Sequence, residues 1–163
     1  MKSKKDLIEP LKAKGAKIIT GDVGNVSTLT EAVKGQDTIV STLGSFNITD
    51  EKNIIQAAKA SGTVKRIVPS QYGIDLAKYF NNPGYFAAKI SVFEEIKKAG
   101  FDYTLIYSSM FYEYAFGAGT GLDAEKGVIF DFGDSAKIST IATADIAKVF
   151  PVLIEVLRWS VCS

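Results

Sequence analysis

Apolar positions along this chain alternate between two rhythms, short β-rich runs and stretches of helical period. Residues 2–14 place Leu7, Ile8 and Leu11 on one side of a helix that Gly15 stops. Residues 16–20 are β-rich and end at Gly21-Asp22, which predicts a first strand. Ser27 is the expected cap of a helix through Val33, with Gly35 closing it. Residues 38–43 predict a second, buried strand ending at Gly44. Residues 50–60 form an amphipathic helix with Ile54, Ile55, Ala57 and Ala58 inside and Gly62 after it. Residues 64–68 predict a third strand, and residues 69–84 a loop ending in the turn residues Asn81-Asn82-Pro83-Gly84.

The same alternation continues with a helix over residues 85–99, stopped by Gly100, and a fourth strand over 103–107. Residues 128–132 and 137–140 predict short strands around the Gly133-Asp134 turn. Thr143 is the expected cap of a last helix toward Leu157, although Pro151 falls inside it and lacks the N–H a helix interior needs. Strands separated by helices of this length pair in parallel through right-handed crossovers, which makes the fold class α/β.

Composition narrows the class. Apolar residues make up 47% and charged residues 23%, a globular balance. A net charge of +1 gives no general attraction to nucleic acid or to acidic membranes. The chain has no histidine, which excludes His-based triads, His metal sites and His pH switches. Its one cysteine, Cys162, has no partner for an intramolecular disulfide. With no signal-peptide core and no membrane-length apolar run, a cytoplasmic location is expected. Asp131, Asp134 and Asp145 match no compact coordination spacing, so no metal site is expected.

Several segments, read in order, are similar to the NmrA-like and isoflavone-reductase-like group of atypical short-chain dehydrogenases. Residues 11–17 leading to Gly21-Asp22 resemble the third strand of that family and the turn before it. Residues 37–44, Asp-Thr-Ile-Val-Ser-Thr-Leu-Gly, resemble its fourth strand. Val64 through Gly73 resembles its fifth, with Pro69-Ser70-Gln71-Tyr72-Gly73 where Pro-Ser-Glu-Phe-Gly is usual. Phe86-Ala87-Ala88-Lys89 matches the spacing of the active-site lysine. Residues 138–140 before Ala144-Asp145-Ile146-Ala147 are also similar, so the likeness covers most of residues 5–150.

The resemblance implies an incomplete Rossmann-like, doubly wound sheet, mostly parallel, with helices on both faces. It implies one NAD(P)-binding NmrA-type domain over residues 1–163 that lacks the first strand-helix-strand unit and most of the substrate region. No Gly-x-x-Gly-x-x-Gly turn precedes Gly15, although in the family that turn grips the cofactor pyrophosphate. The expected cofactor is NADP, with NAD open, and with affinity weakened or lost without the glycine loop. The expected absence of two central strands removes burial comparable to the whole net stability of a domain. A fragment, a truncated product, a sheet rearranged to set residues 17–20 beside 38–43, and an oligomer lending strands all satisfy that constraint.

Chemistry concentrates around Lys89. Tyr85 and Lys89 lie four residues apart at the start of the expected helix, so both project from one face, and Ser70 ends the preceding strand. A tyrosine of reference pKa about 10 is a poor acid–base group near neutrality, and a neighbouring lysine cation favours its phenolate. A serine hydroxyl then holds the substrate oxygen. The ordinary alternative is a packed tyrosine and a solvated lysine. The resemblance implies that Lys89 is catalytic, while Tyr85 and Ser70 are candidates by their spacing, since isoflavone-reductase-like members do not generally rely on a tyrosine there. It also implies that Ser41, Thr42, Leu43, Gly44, Phe46 and Lys89 contact the cofactor, whereas the bland reading of Gly44 is a tight turn. Phe111, Tyr112, Tyr114 and Phe116 read either as core or as a pocket for an aromatic group. The implied function is an NAD(P)H-dependent reductase of small aromatic or carbonyl metabolites. The alternative is a redox-sensing or regulatory module that binds dinucleotide or protein without catalysis. A small-molecule substrate is the expected partner, and a homo-oligomer or protein partner stays open.

Overall fold

The computed structural model describes residues 4–79, 84–115, 122–123, 126–129 and 139–156. Along the chain run α1 (Lys4–Ala13), α2 (Val26–Val33), β1 (Thr38–Val40), α3 (Glu51–Ser61), β2 (Arg66–Val68), α4 (Leu76–Tyr79), α5 (Ala87–Ala99) and β3 (Asp102–Tyr103). After them come β4 (Met110–Phe111), α6 (Tyr112–Ala115), β5 (Leu122–Asp123), β6 (Val128–Ile129), β7 (Thr140–Ile141) and α7 (Thr143–Val156). Two compact units divide the chain, one of Met1–Pro69 with Ser91–Tyr103, the other of Ser70–Ile90 with Thr104–Ser163.

The first unit is built on a parallel three-stranded sheet in the order β1-β2-β3. Ile39 stands opposite Ile67, and Ile67 opposite Tyr103. The Ser41 amide donates to the Val68 carbonyl at 2.8 Å, which extends the ladder past β1. Ile55 and Ala58 of α3 close over Val64, Ile67, Val92 and Ile96, with Val33, Ile39, Ala99 and Phe101 packed at the rim. The i, i+3 and i, i+4 spacing of α3 makes this possible, and left-handed Gly62 (φ 67) ends it. On α5 the Phe93 ring meets Tyr103 edge to face at 4.9 Å.

Several local expectations need correction. Residues 16–20 form no strand, and Ile18 and Ile19 stay 40% and 49% exposed. β-branched content favours an extended backbone, but a strand exists only where a partner supplies a ladder. The sheet is therefore not rearranged to set residues 17–20 beside β1. Asn25, not Ser27, caps α2: its backbone is extended and its side chain accepts from the Thr28 amide at 3.2 Å. β1 and β3 are shorter than residues 38–43 and 103–107, and β1 is only partly buried. The expected loop over 69–84 contains the single turn of α4.

In the second unit β4 pairs in parallel with β7, and β5 pairs antiparallel with β6. Val128 pairs with Asp123, and the expected Gly133-Asp134 turn lies outside the described residues along with Phe116, Asp131 and Leu157. α7 continues through Pro151. Tyr72 packs on Phe111 (6.3 Å) and Phe150 (5.8 Å), and Phe111 on Tyr114 (6.0 Å), so the aromatic residues pack on one another. Tyr112 and Tyr114 nonetheless keep more than half their surface exposed. Among the described residues no helix is long and apolar enough to cross a membrane.

Thr143 does not use its hydroxyl as a local cap. It donates to Glu113 at 2.6 Å, and the Thr143 amide donates to the same carboxylate at 2.9 Å. The Thr143 hydroxyl first, and backbone amides second, hold the Glu113 carboxyl below its ordinary value against a smaller opposing effect of Asp145. A depressed carboxyl stabilises the fold above its unfolded value, and that contribution disappears as pH falls through the folded one. Between pH 7 and pH 3 the parent should lose more thermal stability than a Glu113→Gln variant. Parallel curves would show that these bonds carry no pH-dependent stability.

Candidate active site

Past the carboxyl end of β2 the chain turns through Pro69, Ser70 and Gln71, all buried, into Tyr72 and Gly73. Ser70 is 4% exposed and Gln71 6%. Lys89, third residue of α5, is only 8% exposed, so the solvated reading of this lysine is excluded. Its ammonium donates to the Tyr72 carbonyl at 3.1 Å. In return the Gln71 carboxamide donates to the Lys89 carbonyl at 2.7 Å. Charge is costly to bury without hydrogen bonds, and the Tyr72 carbonyl supplies one. The Gly73 carbonyl accepts from the Ser109 amide at 2.7 Å, where Ser109 holds the left-handed φ of 58°.

Tyr85 lies in a 3-10 turn, Gly84–Phe86, and not in α5, so the expected helical face does not include it. Its side chain is outside the described residues. Lys89 and the segment following Ser70 are brought together. Gln71, which spacing arguments passed over, proves central to that contact. Its one sequence signal is a glutamine where the pattern usually has glutamate.

The expected cofactor segment lies in the first unit. Ser41 is buried, and its hydroxyl accepts from the Leu43 amide at 3.4 Å. Thr42 and Gly44 are exposed, Leu43 is half-buried, and the Phe46 ring is 92% exposed. Gly44 has φ −68° and ψ 158°, extended backbone open to any residue, so no left-handed turn explains this glycine. A Cβ there would meet no protein atom within 4 Å. Hydroxyls, an open backbone and an exposed ring are groups that fit the ribose and base of a dinucleotide.

A cavity of about 400 Å³ lies elsewhere in the first unit, lined by Lys59, Gly62, Lys65, Gly100, Asp102 and their neighbours. It opens where β2 and β3 begin, whereas ligands of open α/β sheets bind beyond the carboxyl ends of the strands. Its size does not make it the site. Among the described residues no three His, Cys, Asp or Glu gather as metal ligands.

The model of the NmrA-like family matches residues 1–151. A phenylcoumaran benzylic ether reductase of Pinus taeda is 40% identical over 114 residues, 68% of this chain and 37% of that protein. One of Ginkgo biloba is 36% identical over the same shares. A structure described as AtPrR2 with NADP+ and (+)pinoresinol superposes with a TM-score of 0.70 at 25% identity. It covers 90% of this chain and 51% of its own. The chain thus spans between about a third and a half of the length of the proteins it resembles.

Proposed function

Because the chain belongs to the NmrA-like family, we propose that it serves as an NADPH-dependent reductase of small aromatic metabolites, with Lys89 as the proton-transfer residue. The burial of Lys89, with its ammonium held on the Tyr72 carbonyl, carries this reading. A lysine kept for solubility stays in water. One buried and oriented by a carbonyl is held for a task. The similarity to reductases and to an NADP+ complex supports the cofactor and the substrate class.

A nicotinamide cofactor, when bound, would supply the hydride that the substrate carbon takes up. Lys89 holds the proton at Nζ and delivers it to the oxygen that acquires the electron pair, and the Ser70 hydroxyl steadies that oxygen. Tyr85 stands as an auxiliary group. Ser41 to Gly44 and Phe46 contact the dinucleotide through hydroxyls, backbone and ring. The domain role follows the same reading, as a cofactor-binding region of NmrA type.

Calorimetric titration tests this. The folded chain should bind NADPH measurably, though more weakly than a protein that carries the glycine loop, and oxidise it in the presence of an aromatic benzylic ether or carbonyl substrate. Gly44→Ala should weaken binding about tenfold, or about 1.4 kcal/mol. Its thermal midpoint should stay in place, since the added Cβ meets no protein atom. No binding by a folded parent would overturn the reading, and binding without turnover would favour a regulatory module.

A further inference from the structure

Two of three successive residues of one turn bond Lys89, and the third ties the turn to Ser109. The Gln71 side chain donates to the Lys89 carbonyl, the Tyr72 carbonyl accepts from the Lys89 ammonium, and the Gly73 carbonyl accepts from the Ser109 amide. We propose that Gln71 is a positioning residue for Lys89: its buried carboxamide fixes the rotation of the first turn of α5 and so the place of the ammonium. This rests on the reading of Lys89 as the proton-transfer group.

The contact requires a donor at position 71, and the carboxamide supplies one. A helical carbonyl accepts from the amide four residues on and retains a second lone pair. Gln71 Nε2 reaches the Lys89 carbonyl at 2.7 Å. A carboxylate at position 71 has no proton to give near neutrality and would face that oxygen with like charge. At 6% exposure the carboxamide has little access to water, and losing its acceptor would leave a buried donor unsatisfied.

Geometry gives the bond its leverage. Rotating a helix by roughly 20° swings an ammonium some 8 Å from the axis by about 3 Å, given a Cα radius of about 2.3 Å. Productive proton transfer tolerates about 0.5 Å. The four-carbon stem can follow part of such a swing, so one bond at the ammonium leaves the helix free to turn while the ammonium drifts from its place. The carboxamide acts on the backbone and removes that freedom. Because Gln71 and Tyr72 are adjacent, the two bonds close a ring between the turn and the lysine. The Ser109 contact at Gly73 anchors the turn from another part of the second unit.

Two measurements on the full chain test the clamp. In the parent, side-chain amide exchange of Gln71 should be about 100-fold slower than that of exposed Gln36 and Gln56, as expected of a bond that breaks only on local opening. Equal rates would overturn the proposal. In Gln71→Met, which keeps the volume and removes the donor, acetic anhydride should label Lys89 about tenfold faster relative to Lys59 in the same molecule, a shift of about 1.4 kcal/mol. An unchanged ratio in a folded variant would also overturn it. Should this variant lose its cooperative thermal transition, the exchange rates in the parent decide. Where the parent turns over, Gln71→Met should lower kcat per NADPH-binding site, counted by titration so that a loss of folded protein does not mimic it, and leave KM for NADPH unchanged. A parent that neither binds nor oxidises NADPH defeats the reductase reading, while exchange and labelling still decide the clamp.

Discussion

Lys89→Met should lower NADPH-dependent turnover by about 10²–10⁴-fold, the range that a positioned general acid contributes. Methionine keeps the apolar stem and removes the ammonium, so the space around an 8%-exposed side chain remains filled. Loss should appear mainly in kcat, because the proton moves only as the substrate oxygen gains charge. Melting should change little or rise, since an apolar side chain replaces a buried charge. The decisive comparison is steady-state NADPH oxidation by parent and variant beside their thermal transitions. Undiminished turnover in a folded variant would remove Lys89 from the mechanism.

Ile96→Ala should cost about 2–5 kcal/mol, the usual range for truncating a buried isoleucine. Ile96 has no exposed surface and sits among Ile55, Ala58, Val64, Ile67 and Val92. The sheet beneath has three short strands, so few other apolar contacts can take up the loss. Against a net stability of about 5–15 kcal/mol, that is a large share. The urea midpoint should fall sharply at unchanged slope. Ile19→Ala, at a half-exposed position outside any strand, serves as the control and should shift it by about 0.5 kcal/mol or less. Equal shifts in the two variants would mean that the core lies elsewhere.

Much of the architecture was legible from residue pattern. The helix ending at Gly62, the β2 run and the helix carrying Lys89 follow from periodicity and stop signals, all of them local. Failures arose where a distant partner decides. Residues 16–20 have strand composition, but composition does not show whether a neighbouring strand is present. Thr143 looked like a cap, yet its hydroxyl is taken by Glu113, thirty residues away. Ser27 and Asn25 are both good capping types, and only backbone geometry separates them. For the site, spacing placed Lys89 near a helix start but did not show which face turns inward. Gln71 was less visible still, because its partner is a backbone carbonyl, and a backbone group has no residue letter to pair with.

Gly62 and Gly100 stand where α3 and α5 hand over to the strands that follow, with φ of 67° and 77°. Nothing lies within 4 Å of a Cβ added at either place, so crowding at that atom does not select glycine there. Handedness does: any other L-residue pays about 1–2 kcal/mol in that conformation, whatever its size. Ser109, at φ 58°, shows that a residue with a side chain can take this conformation, so at the two junctions glycine is the less strained choice and not the sole one.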